Sequence, residues 1–235
     1  MKAQHDDSYA LANEMGFEAA NDAAASLAMA AILSFLELFI VHPGVLVVKR
    51  MMDIAGALIG LLLGAPFLFI AVIVIKLESP GPVLFQQERV GKNNVKFTVY
   101  KLRTMRKNAE EETGPVWANK NDSRVTRTGR FIRKIRLDEI PQFVNVLFGQ
   151  MSLIGPRPER ECFIKEFCKV DPRFAWRVVV KPGITGLAQI NGGYELTPGE
   201  KLAHDLEYIR RLSINNDIKI LLWTVAVVAK GEGGW

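Results

Sequence analysis

Two adjacent carboxylates, Asp138 and Glu139, follow a basic stretch of this 235-residue chain that includes Arg133 and Arg136. Adjacent carboxylates repel each other, so both stay ionised only beside cations such as arginine or Mg²⁺. One could then act as a nucleophile or base while the other holds a divalent metal ion. A structural alternative stays open, because Pro141 favours a helix that starts here, with Asp138 as its N-cap and Glu139 facing the helix dipole.

Arg133 and Arg136 are candidates for binding phosphate, and so are three further cations. Arg157 lies between Pro156 and Pro158, which restrict the backbone and present a guanidinium suited to bidentate phosphate contact. Lys101 and Arg103 are two residues apart in a predicted strand and therefore project from one face. A rigid turn with a solvated Arg157 and a solvated strand face are the alternatives.

The segment 182–193 is rich in glycine and carries uncharged polar side chains, among them Thr185 and Gln189. Such groups suit the hydroxyls of a sugar or the edge of a base, and a purely structural loop is the alternative. The sequence contains no Ser-His-Asp arrangement, Walker loop, G-x-G-x-x-G or zinc-ligand spacing. This argues against hydrolase, P-loop and dinucleotide-binding functions.

Charge is unevenly distributed along the chain. Residues 1–48 carry a net charge of −5, and the chain from Lys76 onward carries +9, although the total is only +5. Between them, Ile54 to Ile75 contains 22 residues without a charge. As a helix this run would measure about 33 Å, enough for a hydrocarbon core of about 30 Å. The pattern excludes a plain soluble domain.

Pro66 lies near the middle of this apolar run. A proline inside a helix lacks an N–H and clashes with the preceding turn, so the helix could break there into two short arms. Lys49 and Arg50 before the run and Lys76 after it favour a cytoplasmic location for both ends. The residues alone leave a re-entrant hairpin and a single span open.

The remaining pattern predicts an α+β, mainly helical fold with amphipathic interfacial helices. A small β-hairpin is expected around residues 91–94, because alternating apolar positions flank a turn sequence. We expect three segments: an N-terminal extension (1–48) of polar leader 1–22 and short apolar helix 23–41, a membrane helix (49–78) and a catalytic domain (79–235). Further helical regions are predicted at 124–149, 159–169, 200–212 and 214–229.

Six segments taken together resemble one family, the bacterial sugar transferases or monotopic phosphoglycosyl transferases. They are KRMMD (49–53), SPGPVLFQQERVG (79–91), FTVYKLRTM (97–105), GRFIRKIRLDEIPQFVNVLFGQMSLIGPRPE (129–159), KPGITGLAQINGG (181–193) and GEGGW (231–235). The resemblance covers about residues 49–235. One difference is Ala65, since the family commonly has Ser before the proline of its membrane helix.

The resemblance implies an enzyme that transfers a sugar-1-phosphate from a nucleotide sugar, usually a UDP-sugar, to polyprenyl (undecaprenyl) phosphate. This is the first membrane step of exopolysaccharide or glycoconjugate assembly. It implies that Asp138 is the nucleophile that forms an aspartyl-phosphosugar intermediate and that Glu139, with Asp138, holds Mg²⁺. Arg157 would contact phosphate, and Asp205, in the segment DLEYI, is a weaker active-site candidate.

The resemblance also implies a monotopic protein of the bacterial inner membrane, with a helix that re-enters at Pro66 and a catalytic domain that faces the cytoplasm. Its expected partners are the nucleotide sugar, polyprenyl phosphate and the lipid bilayer, without nucleic acid; a homodimer stays open. One alternative is a membrane-tethered scaffold that binds nucleotide sugar without turnover. Another is a basic surface module for anionic lipids or nucleic acid, for which Asp138 would be dispensable.

Overall fold

The computed structural model describes residues 43–110, 114, 122–193 and 195–230, so the predicted leader and the helix at 23–41 lie outside the described residues. The described part is mainly helical with two small sheets, in agreement with the predicted fold class. Its helices are α1 (Pro43–Glu78), α2 (Arg127–Lys134), α3 (Gln142–Leu147), α4 (Glu161–Val170), α5 (Leu187–Ile190), α6 (Pro198–Arg210) and α7 (Ile214–Ala229). Its strands are β1 (Leu84–Val90), β2 (Lys96–Leu102), β3 (Ser152–Ile154) and β4 (Gly183–Thr185).

Helix α1 is the predicted membrane helix, and it is longer than expected. It contains 36 residues and begins at Pro43 rather than near residue 49. Proline fits the first turn of a helix because its missing N–H would have no partner there. Within the described part, α1 is the one helix long and apolar enough to cross a membrane. Helical residues continue on both sides of Pro66, and the re-entrant course stays a prediction.

One face of α1 packs closely against the domain that follows it. A Cβ atom placed on Gly60 would lie 2.6 Å from the Phe143 ring, and one on Gly64 would lie 2.8 Å from the Ile140 side chain. The absence of side chains at these glycines therefore allows α1 and the segment around α3 to approach each other. The rest of the helix surface is apolar and open, with Leu62 75% exposed.

The C-terminal half of α1 contributes to the main hydrophobic cluster. Ala71 and Ile75 pack there with residues of β2, α2 and the turn before α3, namely Leu102, Ile132 and Leu137. Arg103 ties the end of α1 to the end of β2, since its guanidinium donates to the carbonyl oxygens of Ser79 (2.8 Å) and Pro80 (2.9 Å). Helix α1 is therefore attached to the domain along most of its length.

The predicted hairpin is confirmed. Strands β1 and β2 pair antiparallel from Leu84 opposite Leu102 to Val90 opposite Lys96. The turn between them is a short 3-10 helix, and Asn93 has a positive φ of 57° there. Asparagine tolerates this conformation better than most residues. The hairpin brings Lys101 toward the segment that carries the two carboxylates.

The segment 182–193, which was predicted to be a loop, contains a strand and a short helix in the structure. Residues Gly183–Thr185 form strand β4, which pairs in parallel with β3, and α5 follows directly. Strands of three residues show no usable alternation in sequence, and their pairing partner is about 30 residues away, so pattern alone could not reveal them.

The predicted helical region at 124–149 is also divided. Helix α2 ends before Arg136, whose φ of 55° is left-handed and cannot continue a helix. Residues Leu137–Glu139 form a single 3-10 turn, and α3 starts afterwards. The other predicted helices are confirmed as α4, α6 and α7. Helix α7 exposes an apolar face, with Leu222 and Trp223 exposed by 64% and 63%.

Candidate active site

The two adjacent carboxylates lie in the 3-10 turn between α2 and α3. Asp138 and Glu139 are buried, with 8% and 7% of their surfaces exposed, and both line a cavity of about 610 Å³. The N-cap position of α3 is occupied by Pro141. Asp138 therefore does not cap that helix, and the structural alternative for this residue is not observed.

Glu139 is held by three cations from different parts of the chain. Its Oε1 accepts from Arg157 Nη2 at 2.7 Å and from Lys101 Nζ at 3.0 Å. Arg136 Nη1 lies 3.7 Å from the other oxygen, Oε2. Burial alone would raise the pKa of Glu139, but the charges of Arg157, Lys101 and Arg136 hold the pKa well below its usual range. Glu139 is therefore a permanent anion that fixes the positions of these cations.

Asp138 is in a different electrostatic state. Burial and the charge of Glu139 raise the pKa of Asp138 to about 6, against the opposing effect of Lys101, Arg133 and Arg157. No group among the described residues donates a hydrogen bond to its carboxylate. At neutral pH Asp138 is mostly ionised, poorly solvated and open to a reactant, which are the properties of an activated nucleophile.

Of the other predicted cations, two have additional structural contacts. Arg133 lines the cavity, and its Nε donates to Thr104 Oγ1 at 2.7 Å. Arg103 also lines the cavity but directs hydrogen bonds to the end of α1. Lys101 and Arg103 therefore differ in their contacts, because only Lys101 reaches Glu139. Their contact with phosphate stays a prediction.

Asp205 takes part in a buried ion pair that the sequence did not indicate. Arg177 Nε donates to Asp205 Oδ2 at 2.6 Å, and Arg177 Nη2 donates to the backbone oxygen of Arg157 at 2.9 Å. Burial raises the pKa of Asp205, and the adjacent Arg177 opposes this effect. The pair supports the backbone on which Arg157 is carried. Arg177 lies in no recognisable motif, so only the tertiary structure reveals it.

The polar residues predicted in segment 182–193 separate in the structure. Gln189 lines the cavity and is buried, and its two amide atoms have no hydrogen-bond partner within the described part. Asp205 Oδ1 is likewise without a partner there. Thr185 does not line the cavity, since its hydroxyl is hydrogen-bonded to Thr224 Oγ1 at 2.8 Å. The structure thus brings Gln189 to the cavity but directs Thr185 to α7.

The cavity as a whole is cationic. Twelve of its lining residues are Lys or Arg, and five are Asp or Glu. Leu84 and Phe85, at the start of β1, add apolar side chains that are 46% and 42% exposed. The site therefore combines a concentrated positive charge with an apolar edge, which suits anionic ligands that also have an apolar part.

The family model of the bacterial sugar transferases matches residues 45–231. The chain belongs to the bacterial sugar transferase family. This confirms the resemblance inferred from the motifs, and with it the prediction that the protein is a transferase. The match includes all but the first two residues of α1, the site turn with Asp138 and the segment with Arg157.

Named relatives agree with this assignment. The chain is 46% identical to the UDP-N-acetylgalactosamine-undecaprenyl-phosphate N-acetylgalactosaminephosphotransferase of Aeromonas hydrophila over 79% of its own length and 44% of the relative. It is 43% identical to the UDP-glucose:undecaprenyl-phosphate glucose-1-phosphate transferase of Caulobacter vibrioides, over 75% of the chain and 68% of the relative. It is 41% identical to the exopolysaccharide production protein PSS of Rhizobium leguminosarum, over 80% of the chain and 98% of the relative.

The chain thus spans less than half of the Aeromonas relative and nearly all of the Rhizobium one. The two UDP-sugar-dependent relatives differ in the sugar that their names give.

Proposed function

We propose that this bacterial sugar transferase moves a sugar-1-phosphate from a UDP-sugar to polyprenyl phosphate through a covalent intermediate on Asp138. The proposal depends on one observation: of two adjacent buried carboxylates, Glu139 is held by three cations while Asp138 has an open carboxylate facing a cationic cavity. The relatives named for undecaprenyl phosphate and UDP-sugars support the choice of substrates.

The proposed reaction consists of two displacements at one phosphorus atom. In the first, an Asp138 oxygen attacks the phosphorus that carries the sugar, the bond to the bridging oxygen breaks, and UMP leaves with the electron pair. In the second, an oxygen of polyprenyl phosphate attacks the same phosphorus and releases Asp138 as a carboxylate. The product is a polyprenyl diphosphosugar, and the kinetics should be ping-pong.

The cations around the dyad support this chemistry. Phosphoryl transfer to a carboxylate brings several negative charges together, so stabilising them is the main task of the site. Arg157 and Lys101 are already positioned by Glu139, and such preorganised charges cost no rearrangement during the reaction. Arg133 lines the same cavity, and its positive charge favours the ionised form of Asp138.

The donor set fits a magnesium ion that is bound together with substrate. Mg²⁺ is usually held by one or two carboxylates and by substrate phosphates. Asp138 and Glu139 Oε2 would supply the carboxylates, and the described residues contain no group of three or more acidic, His or Cys side chains that would hold a metal without substrate. When bound, Mg²⁺ would neutralise charge on the diphosphate of the UDP-sugar.

The packing of α1 supports insertion from one side of the membrane. The middle of its apolar run, at Gly64, contacts Ile140, which directly follows Glu139. A perpendicular span would therefore carry the dyad and its arginines toward the bilayer centre, where charged groups are strongly unfavourable. A re-entrant course around Pro66 keeps both helix ends and the active site at the cytoplasmic surface, in keeping with the positive charge of the domain.

Single cysteines at Gly44 and Val95 test this topology, in a chain whose native Cys162 and Cys168 are replaced by Ser. Gly44 lies at the start of α1 and Val95 in the hairpin turn, and both are exposed. We expect an impermeant thiol reagent to label both positions in inside-out vesicles and neither in intact spheroplasts. Labelling of the two positions from opposite faces would contradict the re-entrant course.

The activity is tested with the purified full chain in detergent or nanodiscs. The protein is mixed with undecaprenyl phosphate, a panel of UDP-sugars and Mg²⁺, and UMP release is measured. We expect release with at least one UDP-sugar, and its loss when EDTA removes Mg²⁺. Binding of a UDP-sugar without any UMP release would favour the non-catalytic scaffold instead.

A further inference from the structure

A second cationic site lies at the C-terminal end of α3, opposite the end that follows the dyad. Gly149 marks this point, with a φ of +77°. A Cβ atom at Gly149 would be 3.5 Å from Lys181 Nζ and 3.7 Å from Arg50 Nη2. The ammonium and the guanidinium therefore approach the same point, and neither residue lines the catalytic cavity.

Among the residues that the structure describes, no carboxylate forms an ion pair with Arg50 or Lys181. Arg50 donates to the carbonyl oxygens of Val146 (2.6 Å) and Leu147 (2.8 Å) at the end of α3. Those two bonds use two of its five N–H groups. Within the described part of the chain, Lys181 Nζ has no hydrogen-bond partner. Burial lowers the pKa of Lys181, and the charge of Arg50 lowers it further.

Asp53 is the carboxylate whose charge acts on Lys181, and one of its two oxygens is already hydrogen-bonded. Asp53 lies one helical turn after Arg50, but its Oδ1 accepts from Ser152 Oγ and from the backbone N–H of Leu153, both at 2.8 Å. The charge of Asp53 raises the pKa of Lys181. This effect is smaller than the lowering caused by burial and by the charge of Arg50. The pair of cations thus keeps a net positive charge in a partly buried place.

The surface beside the pair is apolar. Phe148 directly precedes Gly149 and is 72% exposed, and Val47, in the first turns of α1, is 61% exposed. A ligand for this place needs an anionic group for the two cations and an apolar part for the adjoining surface. A phospholipid with an anionic headgroup has both, and α1 places this region at the membrane.

We propose that Arg50 and Lys181 bind the phosphate of an anionic phospholipid such as phosphatidylglycerol, at a site separate from the catalytic cavity. The inference uses only the membrane association of the proposed function and not its chemistry. Because α3 connects the two sites, a lipid held at Gly149 would fix the depth at which the dyad meets the bilayer. Arg50 also stabilises the end of α3, so Lys181 is the residue to change.

The test is a thermal-shift titration of the full chain in dodecylmaltoside. Dioctanoyl phosphatidylglycerol should raise the unfolding midpoint in a saturable way, whereas dioctanoyl phosphatidylcholine and inorganic phosphate should not. Lys181→Gln should raise the half-saturating concentration by about fivefold, and Lys181→Arg should keep the wild-type response. Lys169→Gln, on the exposed surface of α4, is the matched control and should respond as the wild type does.

Three results would overturn the proposal. They are an equal rise of the unfolding midpoint with phosphatidylcholine, a rise with inorganic phosphate alone, or an equal increase of the half-saturating concentration in Lys169→Gln. These comparisons remain decisive for the wild type and the control even when Lys181→Gln folds poorly. UMP release by Lys181→Gln in neutral detergent should equal that of the wild type. A failure of this lipid site is therefore distinguishable from a failure of the proposed reaction.

Discussion

Replacing Asp138 with Asn should reduce UMP release by about three orders of magnitude or more, because it removes the nucleophile of both displacements. It should also abolish covalent labelling of the chain by a UDP-sugar that carries ³²P on its sugar-bearing phosphate. The side chain is nearly isosteric, so the loss would come from chemistry and not from packing. The measurements are UMP release and acid-stable radioactivity on the purified protein.

The same substitution should leave the fold intact or stabilise it. Burial and Glu139 raise the pKa of Asp138, so its ionised form is less favourable in the folded chain than in the unfolded one. That penalty exists at pH values above the unfolded pKa, and a neutral Asn removes it at pH 7. We therefore expect an unchanged or higher unfolding midpoint, as for other residues that trade stability for activity.

Glu161→Gln is the control for a loss of carboxylate charge. Glu161 forms surface ion pairs with Lys96 and Lys165 and does not line the cavity. Surface ion pairs contribute little to stability, so we expect Glu161→Gln to change UMP release by less than twofold. Full activity in Asp138→Asn, or an equal loss in Glu161→Gln, would rule out the covalent mechanism.

The sequence could mark candidate residues but not how they contact one another. Residue type and spacing made Asp138, Glu139 and Arg157 candidates, and the family resemblance suggested their roles, which stay predictions. Their different electrostatic states arise from contacts across the chain, since Lys101 is 38 residues from Glu139 and reaches it only through the hairpin. A sequence pattern reports neighbours along the chain and carries no direct measure of such pairing.

The same limit explains what sequence reasoning missed or misplaced. Arg177 stabilises the Arg157 backbone from a 3-10 helix with no motif of its own. Thr185 and Gln189 lie four residues apart in one polar segment, yet β4 directs Thr185 toward α7 while α5 brings Gln189 to the cavity. Helix α1 was predictable because a long run without charged residues is typical of a membrane helix, and such a run is visible in the sequence.

Attachment of α1 to the domain links membrane insertion with catalysis. Lys49 Nζ pairs with Asp217 at 2.6 Å near the start of α1, and Arg103 binds the carbonyl oxygens at its end. Between these anchors, α1 contacts the segment that carries the dyad. The helix is therefore packed as part of the domain rather than as a flexible tether, so the proposed insertion of α1 would also set the position of Asp138 and Glu139 relative to the bilayer.

Gly129→Ala should destabilise the protein by about 3 kcal/mol, at the upper end of overpacking costs. Gly129 lies in the first turn of α2, and a Cβ atom there would be 2.0 Å from the backbone oxygen of Thr104. That oxygen also accepts the backbone N–H of Thr126 at 3.0 Å, so it cannot move away from the new Cβ atom without straining that hydrogen bond. The clash must therefore push α2 away from the strand end.

Displacement of α2 would also shift the cations that this helix holds beside Asp138 and Glu139. Arg133 lies on α2 and donates to Thr104, and the left-handed residue Arg136 lies two residues after the end of α2. We expect UMP release by Gly129→Ala to fall at least tenfold even at a temperature where the variant is folded, because misplaced charges stabilise the phosphoryl transfer less. Circular dichroism melting and UMP release measure the two effects separately.

Gly199→Ala provides the matched comparison. Gly199 also lies in the first turn of a helix, α6, but a Cβ atom there meets no atom within 4 Å. Alanine costs less backbone entropy than glycine in a helix, so this variant should be as stable as the wild type or up to about 1 kcal/mol more stable. Equal destabilisation of the two variants would show that loss of glycine flexibility, and not the contact between α2 and Thr104, explains the effect. Opposite signs would instead show that the close approach of α2 to Thr104 explains the destabilisation, and a loss of UMP release by Gly129→Ala alone would show that this packing also positions Arg133.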